Sequence, residues 1–260
     1  MFDQLFDPVL LMTYFFTVLR AGGILFTSPV FGSTMVKPQI RFAVAILFAA
    51  VMYRFAPPVS YGFDVSPLFL VLQIARELLI GIAIGTLTST LFSAVQLGGY
   101  LIDFQMGFSM VNVMDPESGG SFSYISQVQN VLTILIFVAV GGPRLIIEAI
   151  AYSYQVIPLG ALTFSVNAFK FGVDLFAKVF IIAVCITAPP VISLMAANAI
   201  LGVMARIIPQ INLLVVGFPL KIAVGLFMFM MSLQFFYVAF EKVMFSYFKN
   251  IREMMRLFAG

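Results

Sequence analysis

The chain has 260 residues, of which 62% are hydrophobic and only 10% charged, and its net charge is +3. Soluble domains carry roughly 25% charged residues, so a mean hydropathy of +1.09 with so few charges points to an integral membrane protein, and the small positive excess gives no argument for nucleic acid. With no histidine and one cysteine, the chain lacks internal disulfides, most metal sites and the Ser–His or Cys–His pairs of nucleophilic hydrolases, which speaks against an enzyme and against a bound cofactor.

The opening MFDQLFDPV carries Asp3 and Asp7 but no basic residue. It therefore lacks the positive region of a secretory signal, and the first apolar segment is expected to stay in the protein. That segment, Pro8 to Phe31, is long enough to span the hydrocarbon core. Arg20 sits in its middle, where a charge is costly unless paired or hydrated. It either snorkels to the interface or has a buried partner, and its mid-segment position favours the partner. Ser28 to Arg41 reads as a turn with Pro29, Gly32 and Pro38. A short second segment, Phe42 to Phe55, ends at a proline-rich loop, Ala56 to Pro67.

The third segment, Leu68 to about Leu97, contains the adjacent pair Arg76 and Glu77. Neighbours on a helix do not face each other, so each is expected to pair elsewhere. Gly81-x-x-x-Gly85 follows, a spacing that lets two helices approach closely. Thr86, Thr88, Ser89, Thr90 and Ser93 make the rest of the segment polar and suit a helix–helix contact.

Gly98 to Tyr124 separates two strongly apolar halves. Its glycines and Pro116 are expected to interrupt helix, yet Met106, Phe108, Met110, Val113, Met114 and Phe122 run through it. Irregular backbone at membrane depth survives only when buried in protein or lining a cavity. The stretch reads as a re-entrant, Met-rich loop within a channel, or else as a surface loop that packs its own apolar residues.

Ile125 to Val140 is the fourth segment, broken by Gly141-Gly-Pro-Arg144. The fifth, Leu145 to Ile157, is too short to span and contains Glu148. A mixed connector leads to the sixth, Val173 to Leu201, where Pro189-Pro190 should kink or break the helix. Cys185 lies in this run and reads as a small buried hydrophobe. Gly202 to Lys221 is rich in breakers. The seventh segment, Ile222 to about Phe240, precedes a basic amphipathic tail with Lys242, Lys249, Arg252 and Arg256. The charge distribution places the C-terminus in the cytoplasm and the N-terminus outside, which requires an odd number of crossings. Six convincing segments and one short one do not fit this simply. Burial in broken helical hairpins against sister proteins would reconcile them.

The ordered set Leu19-Arg20, Pro29, Pro38-x-x-Arg41, Glu77-Leu-Leu-Ile-Gly81 and Gly85 continues with Asp103-x-Gln105-Met106-Gly107-Phe108-Ser109 and Asp115-Pro116. It ends with Pro189, Asn198, Gly202, Arg206-x-x-Pro209-Gln210, Gly217-Phe218-Pro219 and Gly225. Spread over nearly the whole chain, it resembles the FliR/SctT family of type III secretion export-gate proteins. The loop motif and the Arg206 and Gly217 blocks are closer to its flagellar branch than to its injectisome branch.

The resemblance implies an all-α, membrane-associated fold of broken helical hairpins. A FliP-like part (residues 1–170, with the loop 98–124) would be fused to a FliQ-like hairpin part (residues 171–260). It also implies a place in the bacterial inner membrane, in the flagellar basal body, within a helical assembly with FliP and FliQ, near FlhB and FlhA, that exports unfolded flagellar subunits. The loop would be a plug, with Met106, Gly107, Phe108, Met110, Val113 and Met114 at the seal and Asp103, Gln105, Asp115 and Pro116 as anchors. The open alternative is that these apolar residues pack an interface with FliP. Arg20, Arg76, Glu77, Gly81, Gly85, Arg206, Pro209, Gln210, Gly217, Phe218 and Pro219 would serve architecture and assembly, the last two blocks in a hairpin turn. The chain has no phosphate-binding loop, so energy would come from the proton-motive force and partners. A virulence-type SctT gate protein is the near alternative. A secondary transporter is the distant one, since broken helices and intramembrane charges suit it too, although no repeat relates the halves.

Overall fold

Prolines set the first three helix starts. Asp7 caps α1 (Pro8–Thr27), its Oδ1 accepting from the Val9 N–H at 3.0 Å, and Pro8 occupies the position where a missing N–H costs nothing. Pro38 and Pro67 open α2 (Pro38–Met52) and α3 (Pro67–Met106) in the same way. α2 runs out through a 3-10 turn, Tyr53–Phe55, ahead of Pro57 and Pro58. α4 (Tyr124–Ala139), α5 (Gly142–Val156), α6 (Val166–Ile207) and α7 (Leu213–Ala259) follow. The computed structural model describes residues 7–29, 31–32, 36–59, 65–108, 123–159, 166–209 and 213–259, and among these there is no strand.

Among the described residues, five helical stretches are long and apolar enough to cross a membrane: Pro8–Thr27, Pro38–Phe55, Pro67–Met106, Val166–Ile207 and Val215–Phe258. α4 and α5 make a sixth if taken as one broken span, bent by 68°. The bend sits at Gly141, whose φ of +84° lies in the left-handed region that favours glycine. The short fifth segment of the sequence is thus the far limb of a bent pair, and the basic tail continues the seventh segment as one helix.

Contacts divide the chain into two compact units. One comprises Met1–Leu91, Gly141–Ala177 and Phe245–Gly260, the other Phe92–Val140 and Lys178–Met244. α3, α6 and α7 each contribute to both. These are units of packing, whereas the division at residues 170 and 171 expected from the resemblance concerns ancestry.

The first unit is built around a buried charge. Arg20 on α1 is 0% exposed, and its Nε donates to Glu77 Oε2 on α3 at 2.7 Å. Its Nη1 donates to the carbonyls of Ser153 and Ile157 at 3.0 and 2.8 Å. Those carbonyls belong to the C-terminal end of α5, where backbone acceptors lack helical partners and the dipole favours a cation. The guanidinium carbon lies 5.0 Å from the centre of the Tyr154 ring, and the Tyr154 hydroxyl donates to the Thr17 carbonyl at 2.9 Å. Arg20 therefore ties α1, α3 and α5 together. Glu148, by contrast, is partly exposed and bonds Arg144 one turn away at 2.8 Å.

α1 and α3 meet where glycine replaces side chains. A Cβ on Gly81 would lie 2.5 Å from the Arg20 carbonyl oxygen and 3.0 Å from the Gly23 Cα, and one on Gly85 would lie 2.6 Å from the Ile24 carbonyl oxygen. This close approach sets the distance over which Arg20 reaches Glu77.

Three expectations are corrected. Gly98 and Gly99 do not interrupt helix: α3 continues to Met106, because these glycines admit Thr187 of α6 and Ser126 of α4 against the helix backbone. Packing outweighs a propensity cost of about 1 kcal/mol per glycine. Of the kink or break expected at Pro189 and Pro190, the break is absent: α6 runs through both as one helix. Nearby, the Thr187 and Ser193 hydroxyls bond the Ala183 and Pro189 carbonyls at 2.7 and 2.9 Å. Cys185 is exposed, not buried, since the outward face of α6 is itself apolar.

Glu77→Ala leaves the Arg20 charge buried and is expected to cost about 3–5 kcal/mol, with Arg20→Met plus Glu77→Met costing far less. Thermal unfolding in detergent checks the ordering. Gly81→Leu is expected to lower the midpoint through overpacking, by about 1–3 kcal/mol or more.

Candidate functional site: the root of the central loop

α3 ends in a hydrogen-bonded cap. Gly107 has φ +89°, its N–H donates to the Phe104 carbonyl at 3.1 Å, and the Phe108 N–H reaches back to the Asp103 carbonyl at 3.1 Å. This pairing is a Schellman motif, which requires a left-handed residue after the last helical turn and so selects glycine. On the far side of the loop, Ser123 caps α4, its Oγ accepting from the Ser126 N–H at 3.3 Å.

One carboxylate holds both ends. Asp103, 4% exposed, sits one turn before the cap of α3. It accepts from the Ser123 hydroxyl and, through Oδ2, from the Ile125 N–H at 3.1 Å. An anion at the start of α4 satisfies free N–H groups and complements the helix dipole. The entry and exit of the loop are thereby clamped together, whatever the intervening residues do. Two positions on, Gln105 accepts from the Asn198 side-chain amide of α6 at 2.9 Å, and Asn198 Oδ1 is buried without a partner among the described residues.

The apolar side of the root is packed. Met106 is fully buried with Ile102, Ile125, Leu194 and Phe229. A Cβ on Gly225 of α7 would strike the Met106 side chain, so that glycine leaves room for it. Phe108 stands edge-on to Tyr124 and Phe218, with ring centres 5.8 and 6.4 Å apart. Phe218 also covers Gly107, where a Cβ would meet its ring at 3.0 Å.

Of the residues singled out in the sequence, Asp103, Gln105, Met106, Gly107, Phe108 and Phe218 come together here. Met110, Val113, Met114, Asp115, Pro116 and Gln210 lie outside the described residues. Arg20, Arg76, Glu77, Gly81 and Gly85 belong to the first unit. Arg206 is exposed in the last turn of α6, and Pro209 is exposed just beyond it. Gly217, Phe218 and Pro219 stand in the opening turns of α7 instead of the hairpin turn expected for them. Ser123 and Tyr124 were not singled out as site residues, although a serine directly before an apolar run is a helix-start signal. No group of three His, Cys, Asp or Glu side chains among the described residues could hold a metal ion. The polar groups of the root position chain; their arrangement is mechanical.

The family model of bacterial export proteins, family 1, matches residues 11–247. The flagellar biosynthetic protein FliR of Bacillus subtilis (strain 168) is 32% identical over 243 residues, covering 92% of this chain and 93% of that protein. The FliR protein of Escherichia coli (strain K12) is 26% identical and covers 82% of this chain and 81% of its own. That of Aquifex aeolicus (strain VF5) is 29% identical and covers 98% of both. With a match over nearly its whole length, an all-helical fold and several apolar helices of membrane-spanning length, this chain belongs to the bacterial export proteins of family 1, as a FliR-type component of the flagellar export apparatus.

Proposed function

We propose that the chain is the subunit that joins FliP and FliQ in the flagellar export gate, and that its central loop plugs the channel through which unfolded flagellar subunits pass. The observation that carries this reading is the root: a loop rich in Met and Phe leaves and re-enters the helices at one buried carboxylate. A clamped root with a soft, polarizable apolar span is what a reversible seal requires. Methionine repacks around whatever touches it, while the clamp keeps the span in place. In this reading Met106, Gly107 and Phe108 hold the fixed base of the seal. Met110, Val113 and Met114 complete the seal, and Asp115 and Pro116 are anchors together with Asp103 and Gln105. Residues 1–170 supply the FliP-like part and residues 171–260 the FliQ-like part, with FlhB and FlhA as further neighbours and the C-terminus in the cytoplasm. The names of the relatives support the flagellar rather than the injectisome branch.

Co-expression with its genomic neighbours, purification in mild detergent and native mass spectrometry test the assembly. One copy of this chain with several copies of two small membrane proteins is the expected mass. A stable monomer or homodimer would overturn it.

The plug is tested by ion conductance of the assembled complex and by subunit export in cells. Asp103→Ala removes the clamp, at about 1–3 kcal/mol for the groups left unpaired, and is expected to raise resting conductance. Asp103→Asn, which retains an acceptor for the Ile125 N–H, should leak less than Asp103→Ala. Met106→Ala is expected to destabilise the second unit by about 2–5 kcal/mol. Met110→Ala with Met114→Ala should leave stability unchanged and increase leak, and unchanged conductance in both sets would sink the plug.

A further inference from the structure

The first unit contains a cleft that its described side chains do not fill. Its enclosed part, about 240 Å³, is walled by Leu79, Ile80 and Ala83 of α3, Phe169 of α6, and Met254 and Phe258 of α7, and every other wall residue is apolar too. A more open part of about 330 Å³ shares Ala83, Phe169, Met254 and Phe258 and continues past Leu87 and Gly172. Apart from Thr86 in the open part, the lining is apolar, and a groove of this kind gains more from an apolar occupant than from water. The volume is too small for a helix, which is about 10 Å across, but suits a single extended hydrocarbon chain. From Leu79 to Leu87 the cleft follows α3 for roughly 12 Å, close to the ~15 Å depth of one leaflet's hydrocarbon.

Charge identifies the rest of the occupant. Arg76 lies three and four residues before Leu79 and Ile80, on the same face of α3. It is half-buried and has no hydrogen-bond or ion-pair partner among the described residues, whereas Glu77 beside it is engaged by Arg20. Lys170 follows Phe169 on α6, exposed and likewise without a partner among the described residues. Asp174, one turn further along α6, forms no ion pair with it. A guanidinium half-buried beside apolar side chains is stabilised by an anion, and a phosphodiester offers acceptors matched to its fork.

We propose that this unit binds one anionic phospholipid, with an acyl chain in the cleft between α3, α6 and α7 and its phosphate on Arg76, supported by Lys170. The site is independent of the plug. It makes a lipid part of the folded structure at the place where three helices from distant parts of the chain converge.

The test uses the full chain, with whatever subunits purify with it, in mild detergent. Extraction and mass analysis of retained lipid are expected to give phosphatidylglycerol or another anionic phospholipid at about one per chain. After detergent washing, phosphatidylglycerol should raise the unfolding temperature more than phosphatidylcholine, and inorganic phosphate should have no effect. Arg76→Gln should weaken the phosphatidylglycerol response about tenfold, in line with loss of a bidentate contact, and Arg76→Lys should restore part of it. Ala83→Leu, which fills the cleft, should abolish lipid retention without lowering the unfolding temperature of the washed protein. Three results would overturn the proposal: no retained phospholipid on the unaltered chain, equal responses to the two lipids with and without Arg76, or cross-linking of an Ala83→Cys variant to a neighbouring protein instead of lipid.

Discussion

A guanidinium buried among apolar helices has few ways to be tolerated, and the first unit is arranged around one of them. Arg20 draws a carboxylate from α3, two terminal carbonyls from α5 and the face of Tyr154, while Tyr154 reaches back to α1. Each contact is ordinary; together they specify how three helices meet. Apolar packing alone would leave their rotation weakly defined, because helices apolar all round slide against each other at little cost. The glycine seam of Gly23, Gly81 and Gly85 belongs to the same device, since only a close approach of α1 and α3 puts Glu77 2.7 Å from Arg20.

The second unit uses the same logic with a carboxylate. Asp103 serves two ends of one loop, taking the hydroxyl of a cap residue and the N–H behind it. The Schellman turn at Gly107 then aims Phe108 at Tyr124 and Phe218. Polar and apolar parts of the root thus act at different places: hydrogen bonds decide where the chain leaves the helix, and rings and Met106 keep that point from sliding.

Much of the architecture was legible because proline, glycine and serine act locally. Pro8 opened the first expected segment, Gly141 marked a break that proves to be a bend, and Gly107 lay among glycines expected to interrupt helix, whereas Pro38, read as part of a turn, and Pro67, read as the end of a loop, open α2 and α3. Other features were misread for a common reason. Gly98 and Gly99 look like breakers by propensity, yet neighbours tens of residues away pack against them, and α6 carries Pro189 and Pro190 without a break. Cys185 was assigned to the interior from its apolar surroundings. That inference works only where a polar face offers contrast, and around Cys185 the exposed residues of α6, such as Phe180, Ile181 and Val184, are apolar too.

The sequence by itself determined the class of structure: a helical, membrane-associated chain of a bacterial export family with Arg20 in need of a partner and a Met-rich interruption near its centre. These follow from composition, single-residue backbone rules and an ordered set of motifs. Only the tertiary structure decided that the partner is Glu77 with the end of α5, that Asp103 holds Ser123 and Ile125, that Phe218 covers Gly107, and that Arg76 has no ion-pair partner among the described residues. Such pairings join residues from 20 to 137 positions apart, and in a chain apolar on nearly every face no local periodicity marks which surface meets which.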